Sequence, residues 1–326
     1  MRRVLVTGGS GFIGTYLMKR LAQDGIVACN LDLRPPKVAE QSGAWVYCDI
    51  KNRESLVGHF ASFAPDSVIH LAANASLQGA AVSYFKENTF GTENVVFCVN
   101  ETDSVEKFLF ASTQYVVRPG VHPTSDEFLE PYTAYGESKA EAERAVRRKC
   151  KKAWVILRPT NIWGPLHPFF PSELWLYLER RLYVHPGFQP IRKYYGYVEN
   201  AVEQILAIAK RAGELEARGR VLYISDPPID SYEWMTGFSM ALSGKPVRRV
   251  PLFLWRAGAV VGDALNAVGV RFPVSSPRLF RLTVNESIPY ERTMAITGDS
   301  RVSLQEGIAR SVRWYRRGGH AAPSEA

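Results

Sequence analysis

Residues 2–14 read RRVLVTGGSGFIG, and this stretch decides the fold. Residues 3–7 are a short apolar run of strand type; Gly8, Gly9, Gly11 and Gly14 follow, and a helical pattern begins at Thr15. A strand, a glycine turn and a helix in that order aim backbone N–H groups and the positive end of a helix dipole at a pyrophosphate, provided no Cβ blocks the approach. A glycine-rich turn alone says little. This one is answered by Asp32, at the end of a second expected strand over 27–31. A carboxylate about 20 residues past such a turn can accept both hydroxyls of an adenosine ribose. It also repels a 2′-phosphate, whereas Arg34 would attract one; the direct hydrogen-bonding position of Asp32 outweighs Arg34 and predicts NAD.

Outward from this turn the pattern alternates. Strands are expected at 27–31, 44–48, 67–72, 107–112, 153–158 and 220–225, with helices at 53–63, 84–100, 135–150 and 199–212. The fold class that follows is α/β, a doubly wound parallel Rossmann sheet with a smaller mixed C-terminal substrate lobe. The expected division is a dinucleotide-binding domain over 1–162, to which 191–226 returns, and a substrate lobe from 163–190 and 227–317. The small, polar stretch 318–326 is expected to be a disordered tail.

At 326 residues and 46% hydrophobic, the chain can bury a large core. No apolar run reaches the roughly 18 to 20 residues of a membrane span, and the opening strand is too short for a signal peptide, so a cytoplasmic protein without stable membrane insertion is expected. Cys29, Cys48, Cys98 and Cys150 lack CxxC spacing, which points to neither a metal site nor a disulfide framework. The net charge of +8 comes largely from basic helical stretches at 144–152 and 310–317, read as solvated faces, or else as attraction to phosphates or an anionic membrane. No nucleic-acid motif is present. Residues 251–272 are apolar at helical spacing around Arg256, Asp263 and Asn266, which predicts a helix packed on the small lobe; the alternative is a helix on a membrane surface or beside an apolar channel.

The second informative stretch is Tyr135-Gly136-Glu137-Ser138-Lys139. On a helix, Tyr135 and Lys139 share a face. A phenol with a pKa of about 10 is a poor base at neutral pH, and a neighbouring ammonium together with an oxidised nicotinamide favours the phenolate. The strand over 107–112 ends in Ala111-Ser112-Thr113-Gln114, which sets hydroxyls at a strand's carboxyl end just upstream of that helix.

At this point the sequence resembles the extended short-chain dehydrogenase/reductases, the NAD-dependent epimerase/dehydratase group. TGGSGFIG at 7–14, Asp32, Asp49-Ile50, HLAA at 70–73, Asn88 in NTFGT, Ser112-Thr113, YGESK at 135–139 and LRPTNIWGP at 157–165 match in order and spacing. The resemblance implies that Gly8, Gly11 and Gly14 form the cofactor turn, with Phe12 and Ile13 opening the helix beneath the pyrophosphate. It implies that Asp49 and Ile50 meet the adenine, that Leu71, Ala72 and Ala73 line the cofactor channel, and that Asn88 lies in the helix behind it. Thr113 would be the catalytic threonine with Ser112 its neighbour, Tyr135 the acid/base, Lys139 its electrostatic partner and ribose ligand, and Pro159 part of the turn beside the nicotinamide. Asn161, Arg192 and Lys193 would meet the substrate's phosphates, and Arg278 and Arg281 are further candidates.

The family's sugar dehydratases carry an Asp-Glu pair right after the catalytic threonine; here those positions are Gln114 and Tyr115, which argues against dehydration. The expectation is an epimerase or reductase acting on a nucleoside-diphosphate sugar, working as a homodimer through helices over 84–100 and 135–150. A 3β-hydroxysteroid-type dehydrogenase and a non-catalytic dinucleotide-binding scaffold or redox sensor are the alternatives.

Overall fold

A strand buried on both faces belongs in the interior of a parallel sheet. Arg3–Thr7 (β1) takes that place in the computed structural model, which describes residues 1–76, 79–214, 219–270 and 272–319. Around it lie Val27–Asp32 (β2), Trp45–Tyr47 (β3), Ser67–His70 (β4), Lys107–Ala111 (β5) and Ala153–Pro159 (β6). Short strands follow at Asn161–Trp163 (β7), Val184–Pro186 (β8), Arg192–Lys193 (β9) and Tyr195–Tyr197 (β10), before Arg220–Ile224 (β11) rejoins the sheet. Its order is β11-β6-β5-β4-β1-β2-β3, with every pair parallel. Strand order reverses at β1, which pairs Thr7 with Leu31 on one side and with His70 on the other. The crevice at that switch point, outside the carboxyl ends of the strands, is where such sheets bind ligands.

Helices cover both faces. Phe12–Gln23 (α1) and Val198–Arg211 (α6) pack on one, while Arg53–Phe63 (α2), Thr92–Glu101 (α3) and Ala134–Lys149 (α4) pack on the other. Leu56, Phe60, Val95, Val99 and Val146 fill the core beneath α2–α4. The core on the opposite face runs from Leu17 and Leu21 through Ile205 into Trp163, Trp175, Trp234 and Phe238, so the sheet and the C-terminal elements share one continuous apolar interior. Those elements are Leu176–Glu179 (α5), Ser231–Ser243 (α7), Leu252–Ala267 (α8), Ser276–Thr283 (α9), Tyr290–Thr297 (α10) and Leu304–Trp314 (α11). Strand Arg248–Val250 pairs with β8 and leads into α8.

Two elements differ from the sequence-based expectation. The helix expected over 84–100 begins at Thr92; before it the chain makes a one-turn π-helix, Glu87–Gly91, because the buried Asn88 side chain is drawn inward to bond Asn74 and Ser138. The helix expected over 251–272 ends at Ala267 and is not packed along its length: only Ala259 and Gly262 are buried. Residues 320–326, most of the expected disordered tail, lie outside the described residues, as does Arg271 in the apolar stretch.

Candidate active site

The turn after β1 is shaped by contacts within the protein. Gly8 has φ +78°, and a Cβ there would sit 2.5 Å from the Ala72 nitrogen; a Cβ on Gly14 would overlap the Gly8 carbonyl oxygen. Gly11 alone has looser surroundings, 3.1 Å to that same carbonyl, and it is exposed at the N-cap of α1. Strand–helix packing therefore suffices to require Gly8 and Gly14, and Gly11 is the least constrained of the three. No side chain caps α1, so the N–H groups of its first turn, at Phe12 and Ile13, are left to an outside acceptor.

Asp32 closes β2 beside this turn. Its Oδ2 accepts from the Ser10 N–H at 3.0 Å and its Oδ1 from the Arg34 N–H at 3.0 Å, which fixes the carboxylate at the rim of the crevice. Leu71 is tied to the end of β1 through its N–H to the Thr7 carbonyl at 2.9 Å, and Ala72 lies over Gly8. Asp49 turns its Oδ1 back to the Lys51 N–H, while Ile50 is buried against Gly91. An uncapped helix end, a carboxylate at the second strand and the close approach of Leu71 and Ala72 fit a dinucleotide.

His70, at the carboxyl end of β4, bridges Thr7 Oγ1 at 2.6 Å and Thr92 Oγ1 at 3.0 Å. Burial, and then the Lys139 charge, lower its pKa to about 3, so it is neutral. Asn88 forms a second clamp. Its Oδ1 accepts from the Asn74 N–H at 2.8 Å, and its Nδ2 donates to the Asn74 carbonyl and to Ser138 Oγ, each at 2.9 Å. Ser138 in turn donates to the Tyr135 carbonyl at 2.7 Å, so the loop after β4 is pinned to the first turn of α4.

That first turn is capped by Thr133, whose Oγ1 accepts from the Gly136 N–H at 2.9 Å. Gly136 is required there because a Cβ would overlap the Tyr115 carbonyl. Tyr135 and Lys139 lie one turn apart on this helix, with Thr113 at the end of the neighbouring strand. Burial holds the Tyr135 phenol up at about 12, against a lowering contribution from the Thr113 hydroxyl. Lys139 is buried with its ammonium 4.3 Å from the Phe110 ring centre. Burial lowers its pKa to about 7, against a raising contribution from Glu143. Ser112 Oγ is buried without a hydrogen-bond partner among the described residues.

Beyond these residues opens a cavity of about 240 Å³ lined mainly by aromatic and aliphatic side chains. Tyr115 and Tyr132 stack at 5.6 Å on one wall, and Tyr195 and Trp234 at 4.5 Å are part of another. Asn161 lines it, on β7. Lys193 lines it too, but its ammonium is taken up by the Arg281 carbonyl at 2.8 Å and Glu286 at 3.1 Å. Arg192 is exposed and faces a separate hollow beside Asp230 and Asn285. Arg118 is paired with Glu130, leaving Arg281 as the lining cation without an ion pair among the described residues. Tyr115 was detectable in sequence as an aromatic two residues past Thr113; Tyr195 and Trp234 carry no local signal, since 39 residues separate them.

The model of the NAD dependent epimerase/dehydratase family matches residues 4–221. Over 326 aligned residues, covering 95% of this chain and 94% of the relative, the sequence is 26% identical to the N-acetyl-α-D-glucosaminyl-diphospho-ditrans,octacis-undecaprenol 4-epimerase of Escherichia coli O157:H7. It is 29% identical to a 3-β-hydroxysteroid dehydrogenase of Mycolicibacterium neoaurum, over 71% of this chain and 68% of that one. In structure it is similar to the UDP-glucose 4-epimerase of Thermotoga maritima solved with UDP-glucose, with a TM-score of 0.71 at 21% identity, covering 97% and 99% of the two chains.

Proposed function

The chain belongs to the NAD-dependent epimerase/dehydratase family, and from that premise we propose that it epimerises a sugar carried on a diphosphate, most simply a nucleotide sugar, through Thr113, Tyr135 and Lys139. The observation that carries the reading is Tyr135 one helical turn from the buried Lys139, with the Thr113 hydroxyl near enough to the phenol to lower its pKa and Tyr115 of the cavity wall against the Tyr135 ring. Bound NAD supplies the hydride acceptor and, when oxidised, a positive charge.

The residues around it do the rest. Tyr135 Oη takes the proton of the sugar hydroxyl and returns it, Thr113 Oγ1 holds that oxygen in line, and the Lys139 ammonium favours the phenolate. Glycine-loop N–H groups and Asp32 hold the dinucleotide in place. Arg281 and Asn161 are the polar groups at hand for a diphosphate, and the Tyr115–Tyr132 wall gives an apolar face for a sugar or base. Gln114 and Tyr115 offer no carboxylate acid or base for loss of water, so epimerisation is favoured over dehydration.

The purified protein incubated with a panel of UDP-, GDP- and dTDP-sugars is expected to interconvert one pair of epimers without net NADH, and Tyr135→Phe is expected to abolish turnover while NAD still binds. Full turnover by that variant would overturn the assignment. A second reading, oxidation of an apolar alcohol, is favoured by the apolar cavity walls; steady NADH formation from a sterol and none from any sugar would select it.

A further inference from the structure

Helix α8 is a 16-residue helix that meets the rest of the protein along Ala259 and Gly262. Gly262 lies so close to the Val274 carbonyl that a Cβ would overlap it, which fixes this face inward. The opposite face is apolar and open to solvent. Phe253 and Val260 are each 67% exposed and Leu254 and Val261 at least half exposed, with Val268 just beyond the helix and Phe280 on α9 continuing the patch. Large contiguous apolar surface of this kind marks an interaction site.

Charge identifies the occupant. The described part of 252–283 presents Arg256 and Arg278 beside this face against Asp263 as the sole acid, and Asp263 is engaged by the Ser276 N–H at 3.0 Å. Arg256 and Arg278 are exposed. A second copy seated by two-fold symmetry would set this arginine-rich patch against itself with no free acid to answer it. An anionic lipid surface answers both features, apolar chains for the phenylalanine and valine side chains and headgroup charge for the arginines. No helix among the described residues is long and apolar enough to cross a membrane, so α8 would lie in the interface plane.

The patch also borders the candidate active site. Arg281 and Leu282 of α9 line the cavity, while Arg278 and Phe280 of the same helix are exposed. We propose that α8 and α9 form a docking surface for an anionic phospholipid bilayer, which turns the mouth of the cavity toward the membrane interface. The docking is independent of which substrate the cavity takes.

Flotation of the full-length protein with phosphatidylcholine vesicles, with and without phosphatidylglycerol, tests this. Binding is expected only with phosphatidylglycerol and should weaken as salt rises. Loss of each buried apolar side chain lowers such partitioning by about tenfold or more, so the double variant Phe253→Ser/Val260→Ser is expected to lose binding by about a hundredfold while thermal stability and NAD affinity hold. Arg256→Glu/Arg278→Glu should abolish the phosphatidylglycerol dependence. No flotation at low salt, or equal flotation of the serine variant, overturns the proposal. So does a serine variant that changes only the sedimentation mass, which would make the face an interface between copies.

Discussion

The Arg158 guanidinium holds both oxygens of Glu143, Nε to Oε1 at 2.9 Å and Nη2 to Oε2 at 2.8 Å, and both side chains are fully buried. Arg158 lies on β6 and Glu143 on α4, so this pair fastens the helix bearing Tyr135 and Lys139 to the sheet. Tyr223 on β11 closes the arrangement, accepting from Arg158 Nη1 at 3.0 Å. Removing one partner leaves an uncompensated buried charge, at a loss of about 3–5 kcal/mol. Glu143→Ala is therefore expected to lower the urea midpoint sharply, and the double variant Glu143→Leu/Arg158→Met to recover much of it. A single variant as stable as the parent would show that the pair does not anchor α4.

Lys139 makes stability depend on pH. Its folded pKa is about 7, whereas an unfolded lysine titrates at about 10.4. Between these values the unfolded chain keeps a proton that the folded chain has lost, so stability rises with pH across this window, and below about pH 7 the full penalty of the buried charge is present. Urea midpoints of the protein without NAD, measured from pH 7 to about 10, are expected to climb more steeply than those of Lys139→Met. Equal slopes would place the titration elsewhere. Glu143 raises the Lys139 pKa, so its removal should extend the window to lower pH.

The parallel sheet was legible because its strands are short apolar runs separated by helical patterns, whereas the strand-order reversal at β1 came only with the structure. The Tyr135–Lys139 helix was legible because spacing of four is a local property. What the sequence concealed depends on distant contacts. Asn88 delays the start of an expected helix to Thr92 by turning inward to Asn74 and Ser138, 14 and 50 residues away. Lys193, read as a phosphate ligand, meets Glu286, 93 residues on. The cavity walls pair Tyr195 with Trp234 across segments that show no regular period. The glycines were found, but one reason for them was not: a Cβ on Gly8 or Gly14 would meet backbone of this chain, whereas Gly11 is freer.

That distinction can be tested by adding one methyl group. Gly14→Ala places a Cβ on the Gly8 carbonyl, and forcing the helix off the strand is expected to destabilise the protein by about 1–3 kcal/mol and to abolish NAD binding with it. Gly11→Ala meets its nearest neighbour at 3.1 Å and should leave the melting temperature nearly unchanged, while the methyl group at the exposed helix entrance weakens NAD. Melting curves and NAD titrations on the two variants separate the roles. Equal destabilisation by both would return Gly11 to a packing role.

Tyr115 and Tyr132 stack face to face at an interplanar angle of 14°, and Tyr115 also meets the Tyr135 ring edge-on at 6.0 Å. The wall of the cavity therefore touches the candidate acid/base directly. Tyr115→Phe keeps the stack and is expected to leave turnover within a few-fold of the parent, whereas Tyr115→Ala opens the wall, raises KM and lets the Tyr135 ring move, lowering kcat as well. Steady-state kinetics on both variants are the check. A loss in Tyr115→Phe as large as in Tyr115→Ala would assign the role to the hydroxyl.

In the proposed site Asp32 is the residue placed to discriminate between the two nicotinamide dinucleotides. Each of its oxygens accepts one backbone N–H, from Ser10 and from Arg34, and each keeps lone pairs for a ribose hydroxyl. Hydrogen bonds to a charged group contribute about 1.5–3 kcal/mol each, so Asp32→Ala is expected to weaken NAD by about tenfold to several hundredfold. The same change removes the charge that repels a 2′-phosphate and leaves Arg34 two residues away, so NADP affinity should hold or improve. Fluorescence titration with both dinucleotides gives the ratio. An unchanged ratio would mean that the carboxylate does not read the ribose, and that NAD is selected by contacts elsewhere in the crevice.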